Sequence, residues 1–169
     1  MPEFFLTTTW RIPASLEAVW SCLIHTENWP SWWKYVAGVD EISAGEPNGL
    51  NNIRHYVWRT ALPYRLAMNL RVIELKPRRS IAVEVSGDLR GKGVCRFACR
   101  TAPIETEVCF YWHVHTCKPW MDWFGDLSRP VFIWNHGKVM KSGEQGLIRR
   151  LTDTAQKPAE REAKFRQDG

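Results

Sequence analysis

Cys109-Phe110-Tyr111-Trp112-His113-Val114-His115-Thr116 leads through Lys118-Pro119-Trp120-Met121 into Arg129-Pro130-Val131-Phe132-Ile133-Trp134-Asn135-His136, and this passage decides the fold. In its first part Val108, Phe110, Trp112 and Val114 share one parity while Glu107, His113 and His115 share the other. That is the period-two pattern of a strand with one buried face. In its last part Phe132, His136, Val139, Met140, Gly143 and Leu147 fall on one side of a helix expected over residues 128–151. Gly137, Gly143 and Gly146 interrupt that helix, each at a cost of roughly 1 kcal/mol relative to Ala. Three such residues fit a backbone that approaches a sheet closely or leaves cavity volume; a poor, exposed helix is the other account. A last strand feeding one long helix is what a curved sheet gripping that helix requires. The gap between them is the expected functional site.

Working back toward the N-terminus, Phe4, Leu6, Thr8, Trp10 and Ile12 alternate as a first strand, which Pro13 ends. Ser15 is a good N-cap, and Glu17 complements the dipole of a short helix carrying Leu16, Val19, Trp20, Leu23 and Ile24. A second short helix is expected near Asn28-Trp29-Pro30; it carries Trp32 and Trp33, which cannot both face the same way. Strands follow at 36–42, 52–60, 64–76, 80–86, 92–102 and 105–118, separated by Gly- and Pro-containing turns. Connections this short imply antiparallel neighbours. Leu66, Met68, Leu70 and Val72 form a second inward set, with Arg65, Asn69 and Arg71 outward. The fold class is therefore α+β, in the order β-α-α-β6-α. Residues 1–151 make one helix-grip domain, and a polar tail over 152–169 is expected to fray at Lys157-Pro158.

Composition narrows the function classes. The chain has 169 residues, 44% hydrophobic and 24% charged, which suits one domain with a proper core. Ten tryptophans are the unusual feature, since aromatic side chains line pockets for flat or greasy ligands. The formal net charge is +5, but the basic residues are scattered, and Lys76-Pro77-Arg78-Arg79 reads as a solvated turn. With no basic stripe or reading motif, no nucleic-acid partner is expected. The five cysteines make no C-x-x-C pair and no zinc spacing, so no metal or cofactor is expected. With no secretory signal and no long apolar run, a cytoplasmic location is expected, without stable membrane insertion.

The motifs Trp10-Arg11-Ile12-Pro13-Ala14 with Val19-Trp20, Leu62-Pro63-Tyr64, Gly87-Asp88-Leu89-Arg90-Gly91, Trp112-His113-Val114, Lys118-Pro119-Trp120-Met121 and Arg129-Pro130-Val131-Phe132 with Trp134-Asn135-His136 carry a resemblance. The chain resembles the START-like or Bet v 1-like (SRPBCC) superfamily, and within it the bacterial polyketide cyclase/dehydrase group. The resemblance implies a helix-grip fold and a small hydrophobic ligand. It implies little about chemistry, because the superfamily hosts lipid carriers, hormone receptors, quinone-binding proteins and cyclases. In its cyclases a reactive ketide is held folded by hydrogen bonds to its enolate, which leaves few marks in sequence. Asp88 and Arg129, both in matching motifs, read first as a structural pair or loop anchor.

No nucleophile elbow, phosphate loop or paired-carboxylate spacing appears. The catalytic candidates are His136, on the inward stripe, and Arg54. His136 reads either as an acid or base near neutral pH or as a structural histidine bonded to a carbonyl. Arg54, Tyr56 and Trp58 share one strand face with Asn52 and Thr60, but the opposite set Ile53, His55, Val57 and Arg59 is an equally plausible core face. If Arg54 points inward it must be paired, by a ligand anion or by Glu84 or Asp88. The outward parity of His113 and His115 favours exposure over metal ligation. The expected ligand wall is Trp33, Tyr56, Trp58, Leu66, Met68, Trp112, Trp134, His136 and Met140.

Three functions are consistent with this: a binder of a largely apolar, aromatic or lipid-like molecule; a cyclase or dehydratase acting on such a molecule; and a lipid or quinone carrier. For the last, Trp120, Met121, Trp123 and Phe124 form the expected rim, suited to transient membrane or protein contact; a buried extra turn is the alternative for the segment up to Leu127.

Overall fold

The computed structural model describes residues 2–124 and 127–167. Among these, seven strands form one antiparallel sheet in the order β1-β7-β6-β5-β4-β3-β2. The elements are β1 (Glu3–Ile12), α1 (Leu16–Ile24), a 3-10 helix (Thr26–Ser31), β2 (Val36–Ser43), β3 (Ile53–Arg59), β4 (Arg65–Lys76), β5 (Ser80–Gly87), β6 (Leu89–Thr101), β7 (Ile104–Thr116), α2 (Pro119–Phe124) and α3 (Ser128–Gln167). This is the expected helix-grip architecture, with a short α2 added before the long helix. Strands β2 to β7 form a meander, and β1 returns to pair with β7 along its whole length, from Glu3 opposite His115 to Ile12 opposite Thr106.

Local chemistry accounts for the elements. The Ser15 hydroxyl accepts the Ala18 N–H at 3.3 Å and caps α1. Leu66, Met68 and Leu70 of β4 and Val108, Phe110 and Val114 of β7 are buried, while Arg65, Arg71 and His113 are exposed, so the period-two reading holds. Pro30 sits inside the 3-10 helix, near its C-terminal end. Helix α3 continues past Leu151 and through Lys157-Pro158 to Gln167. The expected fraying point does not end the helix; Ala155, Ala159, Ala163 and their Lys, Glu and Gln neighbours are strong helix formers.

The buried residues fall into two clusters. One contains Phe4, Leu6, Tyr56, Leu66, Met68, Val114 and Phe132; the other contains Trp10, Ile12, Val19, Trp33, Phe110, Met140 and Leu147. Trp29, Val39, Trp58 and Trp112 pack against both. Helix α3 is held at one end by Phe132 against Phe4, with ring centroids 4.3 Å apart. Further along, a Cβ on Gly143 would collide with the rings of Trp33 and Trp10, and one on Gly146 with the Trp32 carbonyl. Those two glycines therefore serve close approach, as expected. Gly137 has nothing near it and does not. Trp33 is buried and Trp32 half-buried, yet their rings stack at 5.6 Å, so adjacency does not send them to opposite sides.

Candidate functional site

Between the concave face of the sheet and the first half of α3 lies a cavity of about 330 Å3. A single water needs only about 10–15 Å3 on the same measure, so this is room for an organic molecule. The wall is built from strand alternation. The inward residues Tyr56 and Trp58 of β3, Leu66, Met68 and Leu70 of β4, Val83 of β5, and Phe110, Trp112 and Val114 of β7 all line it. The β3 register, ambiguous from sequence, is resolved in favour of Asn52, Arg54, Tyr56, Trp58 and Thr60. On β6 the inward position opposite Trp112 is Gly93, and a Cβ there would strike the Trp112 ring. That glycine lets the indole lie against the sheet. Helix α3 contributes Phe132, Asn135, His136, Val139 and Met140.

Eight of the nine expected wall residues line the cavity: Trp33, Tyr56, Trp58, Leu66, Met68, Trp112, His136 and Met140. Trp134 does not. It is 50% exposed, with the Lys138 ammonium 5.8 Å from its ring centre. At about 100° per residue, Trp134 stands some 200° from both Phe132 and His136, so a helix that turns those two inward turns it outward. Sequence reasoning missed Thr26 and Trp29, which arrive from the 3-10 helix. The tryptophan excess was the available signal for Trp29, but its position in a short, irregular element hid its direction. Trp29 packs on Trp33 at 5.1 Å and on Tyr56 at 5.7 Å, and Trp33 meets Trp58 edge-on at 5.0 Å.

Arg54 belongs to a polar network at the edge of this aromatic wall. Its Nη1 donates to Thr26 Oγ1 at 2.5 Å and to Glu27 Oε2 at 3.0 Å, and its Nη2 reaches Glu41 Oε2 at 3.4 Å. The Tyr56 hydroxyl donates to the same Thr26 Oγ1 at 3.1 Å, and burial pushes its pKa up. The protein partners foreseen for Arg54 were the wrong ones: Glu84 pairs with Arg71, and Asp88 pairs with Lys118. Nor do Asp88 and Arg129 pair with each other. Asp88 Oδ2 accepts the Ala67 N–H at 2.8 Å and lies 3.0 Å from Lys118 Nζ, while Arg129 donates to the Glu3 carbonyl at 3.1 Å. Each anchors a chain connection separately, as a loop anchor does.

His136 is half-buried in the wall, and desolvation there pushes its pKa down to about 4. It is therefore neutral near pH 7. Its Nε2 has no hydrogen-bond partner among the described residues, which removes the reading of a carbonyl-bonded structural histidine at that nitrogen. Three other lining residues also carry buried, unpartnered polar atoms: Trp29 Nε1, Trp58 Nε1 and Arg54 Nε. Buried polar atoms are usually satisfied, so four on one cavity wall mark where a ligand's polar group can be met. By contrast Asn135 is satisfied, its Oδ1 accepting the Ala61 N–H at 2.8 Å, and Trp33 Nε1 donates to the Val139 carbonyl at 2.9 Å. Cys95 lines the cavity, but burial holds its thiol far above the usual range, so it is not a nucleophile near neutral pH.

In the aromatic segment after β7, the described side chains of Trp120 and Trp123 do not border the cavity. Trp120 packs edge-on against Tyr64 at 5.2 Å, and neither Trp120 nor Trp123 is part of the wall. Trp123 is 91% exposed, so it is not a buried turn either. The side chains of Met121 and Phe124 lie outside the described residues. No described helix is long and apolar enough to cross a membrane.

The comparisons agree with the fold. The Zhui aromatase/cyclase of a Streptomyces species superposes with a TM-score of 0.71 at 13% identity, covering 88% of this chain and 93% of that one. A START superfamily protein of Mycobacterium smegmatis gives 0.71 at 14% identity, over 89% and 98%. A major latex-like protein of Panax ginseng gives 0.64 at 9% identity, over 88% and 97%. No curated protein is significantly similar in sequence. The sequence does match, over residues 4–153, the family described as polyketide cyclase / dehydrase and lipid transport, and the chain belongs to that family.

Proposed function

We propose that the protein binds one largely apolar, neutral small molecule carrying a hydrogen-bond acceptor, in the cavity between α3 and the sheet. The observation that carries this reading is the cavity of about 330 Å3 walled by indoles and aliphatic side chains. Neutrality follows from Arg54, a half-buried cation of the wall, whose charge already faces Glu27 and Glu41. A ligand carboxylate or phosphate would add a further negative charge beside Glu27 and Glu41. The acceptor follows from the unpartnered indole N–H groups of Trp29 and Trp58. Native mass spectrometry of the purified chain, followed by solvent extraction, tests the proposal. The expected result is an adduct released into the organic phase, whose return raises the melting temperature. A chain that is free of adduct and whose melting is unmoved by neutral aromatic ketones would overturn it.

A second reading is a cyclase or dehydratase, as the aromatase/cyclase neighbour is named. The unprotonated, unpartnered His136 favours it, because such an imidazole can take a proton from an acidic carbon of a bound ketide. A carrier would instead release its ligand unchanged, which product analysis distinguishes.

A further inference from the structure

The outer face of the sheet brings together three metal-competent groups that the cavity does not use. Glu3 on β1 stands directly opposite His115 on β7, and His113 lies two residues away on the same face. The Glu3 carboxylate, His113 Nε2 and His115 Nε2 lie within 4.8 Å of one another. We propose that Glu3, His113 and His115 form a surface site for a divalent transition cation of the zinc class.

Two imidazoles and one carboxylate are the donor set that borderline divalent cations prefer, and an exposed trio leaves a fourth position for water. Two donors about 2.1 Å from a tetrahedral ion stand roughly 3.4 Å apart. The separation of His115 Nε2 and Glu3 Oε1 is 3.7 Å, close to that value. His113 Nε2 and Glu3 Oε1 are hydrogen-bonded at 2.5 Å, and this contact lengthens as the ion comes between them. The site is also partly preorganised. Phe5, opposite His113 in the strand register, stacks on its ring at 4.2 Å and 15°, and the two imidazole centroids are 5.6 Å apart. Working against the ion, Lys92 and Arg90 stand opposite His113 and His115 on β6. Both are exposed, so their long side chains can swing into water and leave the ligands free. Among the described residues no other trio of His, Cys, Asp or Glu side chains is gathered this way.

Isothermal titration of the untagged, EDTA-stripped full chain with ZnCl2 tests this. One Zn2+ should bind per chain, and affinity should fall on the order of tenfold or more in each of His113→Ala, His115→Ala and Glu3→Gln. Cys99→Ser, at an exposed thiol, should bind as the unaltered chain does. MgCl2 should give no saturable heat, because a hard cation does not select imidazole. All three ligand residues are 40–50% exposed, so thermal melting should show the variants folded; His113→Gln replaces any that is not. Absence of saturable Zn2+ uptake overturns the site. So does uptake unchanged by the three substitutions, uptake lost equally in Cys99→Ser, or equal binding of Mg2+.

Discussion

At His136 burial, with no neighbouring charge, sets the protonation state. Its pKa in the folded chain is pushed down to about 4 from an ordinary 6.5. Below pH 6.5 the unfolded chain therefore takes up a proton that the folded one refuses. The stability contributed by this group is fully present above about pH 6.5 and is lost as pH falls toward 4. The loss amounts to about 3 kcal/mol at most. Urea unfolding at several pH values should show a steeper decline between pH 6.5 and 4 in the unaltered chain than in His136→Gln. Parallel curves would mean that the imidazole is solvated or paired. Gly143 makes a different point at this scale: it is legible as a helix-weakening residue, but its purpose is visible only once the Trp10 and Trp33 rings are seen against it.

Between elements, Arg54 joins three pieces of chain. From β3 it reaches Thr26 and Glu27 on the 3-10 helix and Glu41 on β2. Its side chain is only 20% exposed, while both carboxylates are about half exposed. Removing the guanidinium leaves two acids facing one another beside Thr26. Arg54→Ala should therefore cost about 1–3 kcal/mol in chemical denaturation. Arg54→Lys should recover only part of this, because an ammonium lacks the planar fork that serves several acceptors. If Arg54→Ala leaves stability unchanged but abolishes ligand capture, Arg54 serves the ligand directly. The strand faces themselves were readable in sequence, as Leu66, Met68 and Leu70 illustrate, because alternation is a local signal. The partners of Arg54 were not, lying 27 and 13 residues away along the chain.

At the scale of the whole molecule, the two core clusters do not fill the space between them. Tryptophans that could have plugged it instead pack against one another around the void, as Trp29, Trp33 and Trp58 do. The cavity therefore tolerates added atoms better than a filled core would. Val83 on β5 lines it from the sheet side. Val83→Phe should leave the melting temperature unchanged or higher while reducing ligand loading in native mass spectrometry. A marked loss of stability would indicate that the space around Val83 is already filled.

By itself the sequence determined the order of the strands and of the helices other than α2, the capped first helix, the inward parity of β4 and β7, and the wall position of Leu66, Met68, Trp112, His136 and Met140. All of these follow from periodicities of two or 3.6 residues and from capping chemistry, which act over a few neighbouring positions. Only the tertiary structure decided that Trp134 faces solvent, that Arg54 answers to Glu27 and Glu41, that Asp88 and Arg129 act apart, and that Glu3 meets two histidines more than a hundred residues away. The same holds for the void itself. Its volume is what remains after distant side chains have packed, and no single stretch of chain encodes that remainder.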